Sequence, residues 1–129
     1  MHKYLNIHYI TYHVNKMNED MGESSFLKLI GGSPTAKVLD FMLTGREFDY
    51  SKREIAENAS ISYNTLNAVW KQLLADAILV KTRRIGKQDM FKLNGDSRSV
   101  KMLMAFFDSL VKGNLESMQK ETAKAVAMK

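Results

Sequence analysis

The chain has no cysteine. This removes disulfides, thiolate zinc sites and thiol redox chemistry together, so stability must come from packing and from association. No apolar run approaches the ~20 residues that span a bilayer. The N-terminus lacks the basic start and continuous apolar core of a secretory signal. A cytoplasmic protein with no membrane partner is therefore expected. Catalytic patterns are missing as well: there is no glycine-rich phosphate loop, no nucleophile with a patterned base and no cluster of metal ligands. His2, His8 and His13 fit no tight ligand face and read as surface residues. The expectation is a non-enzyme that uses neither cofactor nor metal.

What is present is an ordinary globular composition. The 129 residues, 45% hydrophobic and 26% charged, suffice for one core with appendages and argue against wholesale disorder. The net charge of +5 is modest, and its placement says more than its size. Lys81, Arg83, Arg84, Lys87 and Lys92 lie close together with only Asp89 opposing them, whereas acids and bases are interleaved through most of the chain. A local positive patch favours a polyanionic partner.

Residues 1–15 are rich in Tyr, His and Ile, and a polar stretch with Glu19, Asp20 and Glu23 follows. This break sets residues 1–24 apart as an arm or upstream extension without assigned function. Phe26 to Ile30 form a short apolar segment ending at Gly31-Gly32. Ser33-Pro34 then supplies a cap and a proline where a first helical turn tolerates one, which predicts a first helix over Pro34 to Thr44, stopped by Gly45. Ser51-Lys52-Arg53-Glu54 matches the capping box, predicting a short second helix near Lys52 to Asn58. Ser62 caps a third, to about Ala75, with Leu66, Val69, Trp70 and Leu73 on one side. Ile78 to Arg84 and Asp89 to Leu93 alternate as strands around the turn Ile85 to Gln88, giving a hairpin with a basic tip. From Ser97 a stripe of Val100, Leu103, Met104, Phe107, Leu110 and Val111, continued by Leu115 and Met118, predicts a long C-terminal helix with a possible kink at Gly113.

The order helix, short helix, turn, helix, basic hairpin is what a DNA-reading module needs, because a helix fits the major groove and a neighbouring loop reaches the backbone. Glu54-Ile55-Ala56-Glu57-Asn58-Ala59-Ser60-Ile61-Ser62-Tyr63-Asn64-Thr65-Leu66 resembles the helix-turn-helix core of winged-helix transcriptional regulators, and the likeness extends through Trp70, Leu73, Ile78 and the hairpin, over roughly residues 34–96. The small archaeal and bacterial repressors of the MarR and ArsR groups are similar. The resemblance implies a mainly α fold with a small β-hairpin, a winged helix-turn-helix over residues 25–96, followed by a long dimerisation helix over 97–129. In this pattern Ala56 lets the two helices approach, and Ile61 and Leu66 plug the angle between them. The family often has Gly where this chain has Ser60. A left-handed residue there costs a non-Gly side chain ~1–2 kcal/mol, so a slightly different turn is expected.

On a helical wheel the third helix turns Asn64, Asn67, Ala68 and Lys71 away from its apolar side, with Tyr63 at the boundary. These are the candidate base readers: Asn for adenine, Lys for guanine or phosphate, and Ala for a thymine methyl. The plain alternative is a solvated helix face. Arg83, Arg84, Lys87 and Gln88 suit phosphate or minor-groove contacts, and Ser51, Lys52, Ser62 and Thr65, at helix starts, suit phosphates. Trp70 shares the phase of Leu66 and Leu73, which favours core packing against the first helix over stacking on bases. The C-terminal stripe is longer than so small a domain covers, so Val100, Leu103, Met104, Phe107, Leu110, Val111, Leu115 and Met118 are assigned to a homodimer interface. Double-stranded DNA and a second copy are thus the expected partners, and no residue identifies a small-molecule effector. The competing reading keeps the fold but makes it a protein-docking or RNA-binding module.

Overall fold

Serines start the helices. In the computed structural model, which describes residues 23–127, Ser24 caps α1 (Ser25–Ile30) and Ser33 caps α2 (Pro34–Thr44), each hydroxyl accepting a backbone N–H at 3.1 Å. Ser51 caps α3 (Lys52–Asn58) and Ser62 caps α4 (Tyr63–Ala75). Ser97 accepts from the Val100 N–H at 3.3 Å at the start of α5 (Arg98–Ala127). Each such cap replaces water at an orphan donor and contributes about 1 kcal/mol relative to Ala. The arm up to residue 22, including its histidines, lies outside the described residues.

The expected hairpin is present and acquires a third strand. β2 (Leu79–Ile85) and β3 (Gln88–Leu93) pair antiparallel around a two-residue turn in which Gly86 takes φ 61°. β1 (Tyr50–Ser51) pairs with the other edge of β3, Tyr50 opposite Phe91, giving the order β1-β3-β2. Two residues are too few to show a period, so the alternation that reveals β2 and β3 leaves β1 unseen. A bulge between Lys81 and Arg83 turns Thr82 out of register, and its hydroxyl donates to Met90 O at 3.3 Å and Asp49 Oδ2 at 2.6 Å.

The helices end as informatively as they begin. After α3, Ile61 N donates to Ala56 O and Ser60 N to Glu57 O; after α4, Ile78 N donates to Leu73 O and Ala77 N to Leu74 O. Both are Schellman motifs, which need a left-handed residue just past the helix. Here that residue is Ser60, at φ 59°, and Ala77, at φ 55°. The expected change of turn at Ser60 is therefore absent: the chain keeps the left-handed turn without glycine, because Ile61 and Ile78 each pack against the core one residue later.

Val38, Met42, Leu43, Ile55, Leu66, Leu79, Leu93 and Val100 are sealed in one core drawn from α2, α3, α4, the sheet and α5. Gly45, expected as a simple helix stop, has a second reason to be glycine. Its φ is −105°, open to any residue, but a Cβ there would lie 2.2 Å from the Tyr50 hydroxyl. That hydroxyl donates to Gly45 O at 3.0 Å, and burial pushes its pKa up to about 12. Helix α1 docks through Phe26, whose ring lies 5.7 Å from that of Phe107. Ser24 also donates to the buried Asp40 carboxylate at 2.8 Å, whose pKa burial raises.

Helix α5 runs unbroken through Gly113, without the kink allowed for there, for a length of about 45 Å at 1.5 Å per residue. None of the helices in the described residues is long and apolar enough to cross a membrane.

Candidate nucleic-acid interface

Helix α4 carries the candidate readers, and its orientation follows from what it buries. Leu66, Trp70 and Leu73 are buried on one side, with Val69 partly so. Trp70 stands edge-on to Phe91 of β3, ring centres 4.7 Å apart at 86°. The indole thus belongs to the core as its phase implies, but its ring partner is the sheet. Anchored in this way, α4 turns Asn64, Asn67, Ala68 and Lys71 to solvent, and Tyr63 is 48% exposed. Ala56, 3% exposed, and Leu66 fill the angle between α3 and α4, with Ile61 half-buried beside them.

At the helix starts the structure redistributes the expected phosphate contacts. Ser51 is buried, and it is spent on its capping box: its hydroxyl accepts from Glu54 N at 3.2 Å while its own N–H donates to Glu54 Oε1 at 3.0 Å. Assigning it to a phosphate is corrected accordingly. Ser62 and Thr65 stay near the surface with their hydroxyls 2.7 Å apart. Lys52 reaches back across α4, where its ammonium lies over the Tyr63 and Trp70 rings and donates to Asn67 Oδ1.

The wing is less positive than its sequence suggests, because the fold brings in an acid from outside it. Asp49, just before β1, receives Arg83 Nε at 2.8 Å and a second guanidinium nitrogen at 3.0 Å. Hydrogen bonding from Arg83 holds the Asp49 pKa below its ordinary range, against the opposing effect of burial. Thr82 on the bulge closes the clasp. Arg83 therefore fixes the wing to the start of the helix-turn-helix, which is a different task from the phosphate contact expected of it. Lys81 and Arg84 face Asp89 at 3.2 and 3.9 Å. Lys87 and Gln88 are exposed at the tip, and Lys87 makes no ion pair among the described residues.

The apolar stripe of α5 divides. Val100, 0% exposed, and Phe107, 8% exposed, are buried in the chain's own core, so their assignment to a partner is corrected. Leu103, Met104 and Leu110 pack against that core. Val111, Leu115 and Met118 are exposed, between 41% and 53%.

This order of elements, with α4 seated on a three-stranded sheet and a long helix behind, has counterparts among solved structures. MepR of Staphylococcus aureus, a transcription regulator of the multidrug efflux pump MepA, aligns over 99% of this chain and 94% of its own, with TM-score 0.51 and 11% identity. A single-substitution variant from a multidrug-resistant clinical isolate of S. aureus aligns over 91% of each chain, with TM-score 0.53 and 13% identity. The chain has a MarR-type winged-helix fold. No family model matches the sequence, and no curated protein matches it significantly. At such low identity the likeness is one of architecture. The winged-helix frame nevertheless names the parts: α3 and α4 form the helix-turn-helix, β2 and β3 the wing, and α5 the long helix outside it.

Proposed function

We propose that the protein binds double-stranded DNA with sequence specificity as a homodimer and regulates transcription as a repressor. The observation that carries this reading is the division of α4. One side is locked into the core by Leu66, Trp70 and Leu73, and the other presents Asn64, Asn67, Ala68 and Lys71 to solvent. A rigid helix with an outward face of hydrogen-bonding side chains suits base edges in the major groove. The outward side chains of α4 are mostly polar, which weighs against the competing reading of protein docking. The regulatory role named for the S. aureus protein of the same fold is consistent with it.

In this reading residues 25–96 engage DNA, with Tyr63 and the outward side chains of α4 at the bases. Lys87, Gln88, Arg84, Ser62 and Thr65 are available to the backbone. Residues 97–129 pair the subunits through Val111, Leu115 and Met118, the exposed part of the stripe. Residues 1–24 are given no role. Two-fold pairing sets the reading helices ~34 Å apart and implies a palindromic site.

Binding to a selected duplex, followed by fluorescence anisotropy at rising salt, tests the reading. Affinity is expected to fall ~10³-fold between 50 and 200 mM salt if about six phosphates are neutralised. A flat salt response, or a strict monomer in sedimentation at micromolar concentration, overturns it.

A further inference from the structure

Lys52 sits where a phosphate contact is expected, yet its ammonium already has partners in the chain. It lies 5.0 Å from the centre of the Tyr63 ring and 5.2 Å from that of Trp70, and it donates to the Asn67 side chain. Two π-faces hold a cation at these distances. An ammonium has donors and no acceptor, so the amide atom facing it must be the Asn67 carbonyl oxygen, and the two N–H donors lie on the other arm of the amide. Trp70 is buried and edge-on to Phe91, which holds one of the two rings rigid. Asn67 is exposed on the outward side of α4.

The pair is therefore a matched set of donors. Guanine offers two neighbouring acceptors in the major groove, N7 and O6, whereas adenine sets the N6 amino donor beside its N7. The usual bidentate contact of Asn with adenine needs the amide oxygen to accept from N6. Here that oxygen is taken on one side by Lys52, and the adjacent cation opposes the approach of another donor. Resting on the DNA-binding reading above, we propose that Lys52 and Asn67 act as one donor-only unit selecting guanine, with Lys52 as the positioning residue. Asn67 thus reads guanine, in place of the adenine that its residue type alone suggests.

Duplexes selected from a random pool by the full chain, then varied one base pair at a time in anisotropy titrations, test this. The position Asn67 reads is the one whose discrimination disappears in Asn67→Ala. A G·C pair there is expected to bind about tenfold more tightly than A·T. Lys52→Met releases the Asn67 oxygen and is expected to cut that advantage below about threefold while leaving the salt slope unchanged. Lys52→Arg, still a cation without acceptors, keeps it. Three results overturn the proposal: an adenine optimum in the wild type, no position affected by Asn67→Ala, or a Lys52→Met variant that keeps the guanine preference. In the last case a salt slope shallower by about one marks Lys52 as a phosphate contact instead. A wild-type chain that binds no duplex removes the DNA-binding reading and this one with it, whereas any of the three results in a chain that does bind DNA removes this one alone.

Discussion

The two halves of α5 share one helix and one apolar stripe, yet their neighbours differ. Up to Leu110 the stripe closes the chain's own core, with Val100 and Phe107 buried and Leu103, Met104 and Leu110 against it. Beyond it, Val111, Leu115, Met118 and Val126 are exposed. Helical period reports which side chains share a face, and says nothing of what covers it. The same contrast recurs in smaller form elsewhere. Trp70 faces inward on α4 where Asn64 faces out, and Arg83 is held by Asp49 on the wing where Lys87 stands at the tip. Inward groups should govern stability and outward groups association.

The largest effect expected on the inward side is that of Phe107→Ala, which empties a site packed by Phe26 and the Arg46 guanidinium. It should cost about 3–5 kcal/mol in urea unfolding. A loss under about 1 kcal/mol would place Phe107 with the outward half after all. The outward counterpart is the double change Leu115→Glu and Met118→Glu. Unfolding of the protomer should be nearly unaffected, while sedimentation should show a monomer and a palindromic duplex should bind at least ~100-fold more weakly, because two linked half-sites become independent. Unchanged sedimentation would break the division of α5.

A smaller effect sharpens the contrast on the wing. The Asp49 carboxylate, with its pKa lowered on folding, contributes stability that is fully present above the ordinary aspartate range and is lost as pH falls through that range toward the depressed folded value. Asp49→Asn should therefore cost no more than about 1 kcal/mol at neutral pH and flatten the acid side of the stability profile, since the pair is partly solvated. An unaltered acid limb in the variant would show that the clasp is not formed in solution. Smallest of all, Ser60→Gly should raise stability by about 0.5 kcal/mol. It relieves a left-handed side chain at ~1–2 kcal/mol but adds freedom to the unfolded chain. Destabilisation would mean that the turn after α3 is not left-handed.

Much of this architecture was legible in the residues. Ser33, Ser51 and Ser62 marked helix starts to the residue, since a cap is a local exchange between one hydroxyl and an amide three positions on. The wet side of α4 followed from its spacing. Helix α1 was read as no more than an apolar segment, because six residues hold too little periodicity to declare a helix that Phe26 anchors from a distance. Gly45 was legible as a stop but not as the seat of the Tyr50 hydroxyl. The orientation of the Asn67 amide had no signal either, since it depends on a lysine 15 positions away.

The sequence by itself determined where helices and strands begin, which side of each is apolar and where positive charge gathers, since these depend on neighbours within a few positions. Only the tertiary structure decided which apolar side chains the chain covers itself, which wing arginine is tied by an acid 34 residues before it, and which way the Asn67 amide points. Those outcomes rest on contacts between distant segments, and chain spacing carries no information about them until the core has brought the segments together.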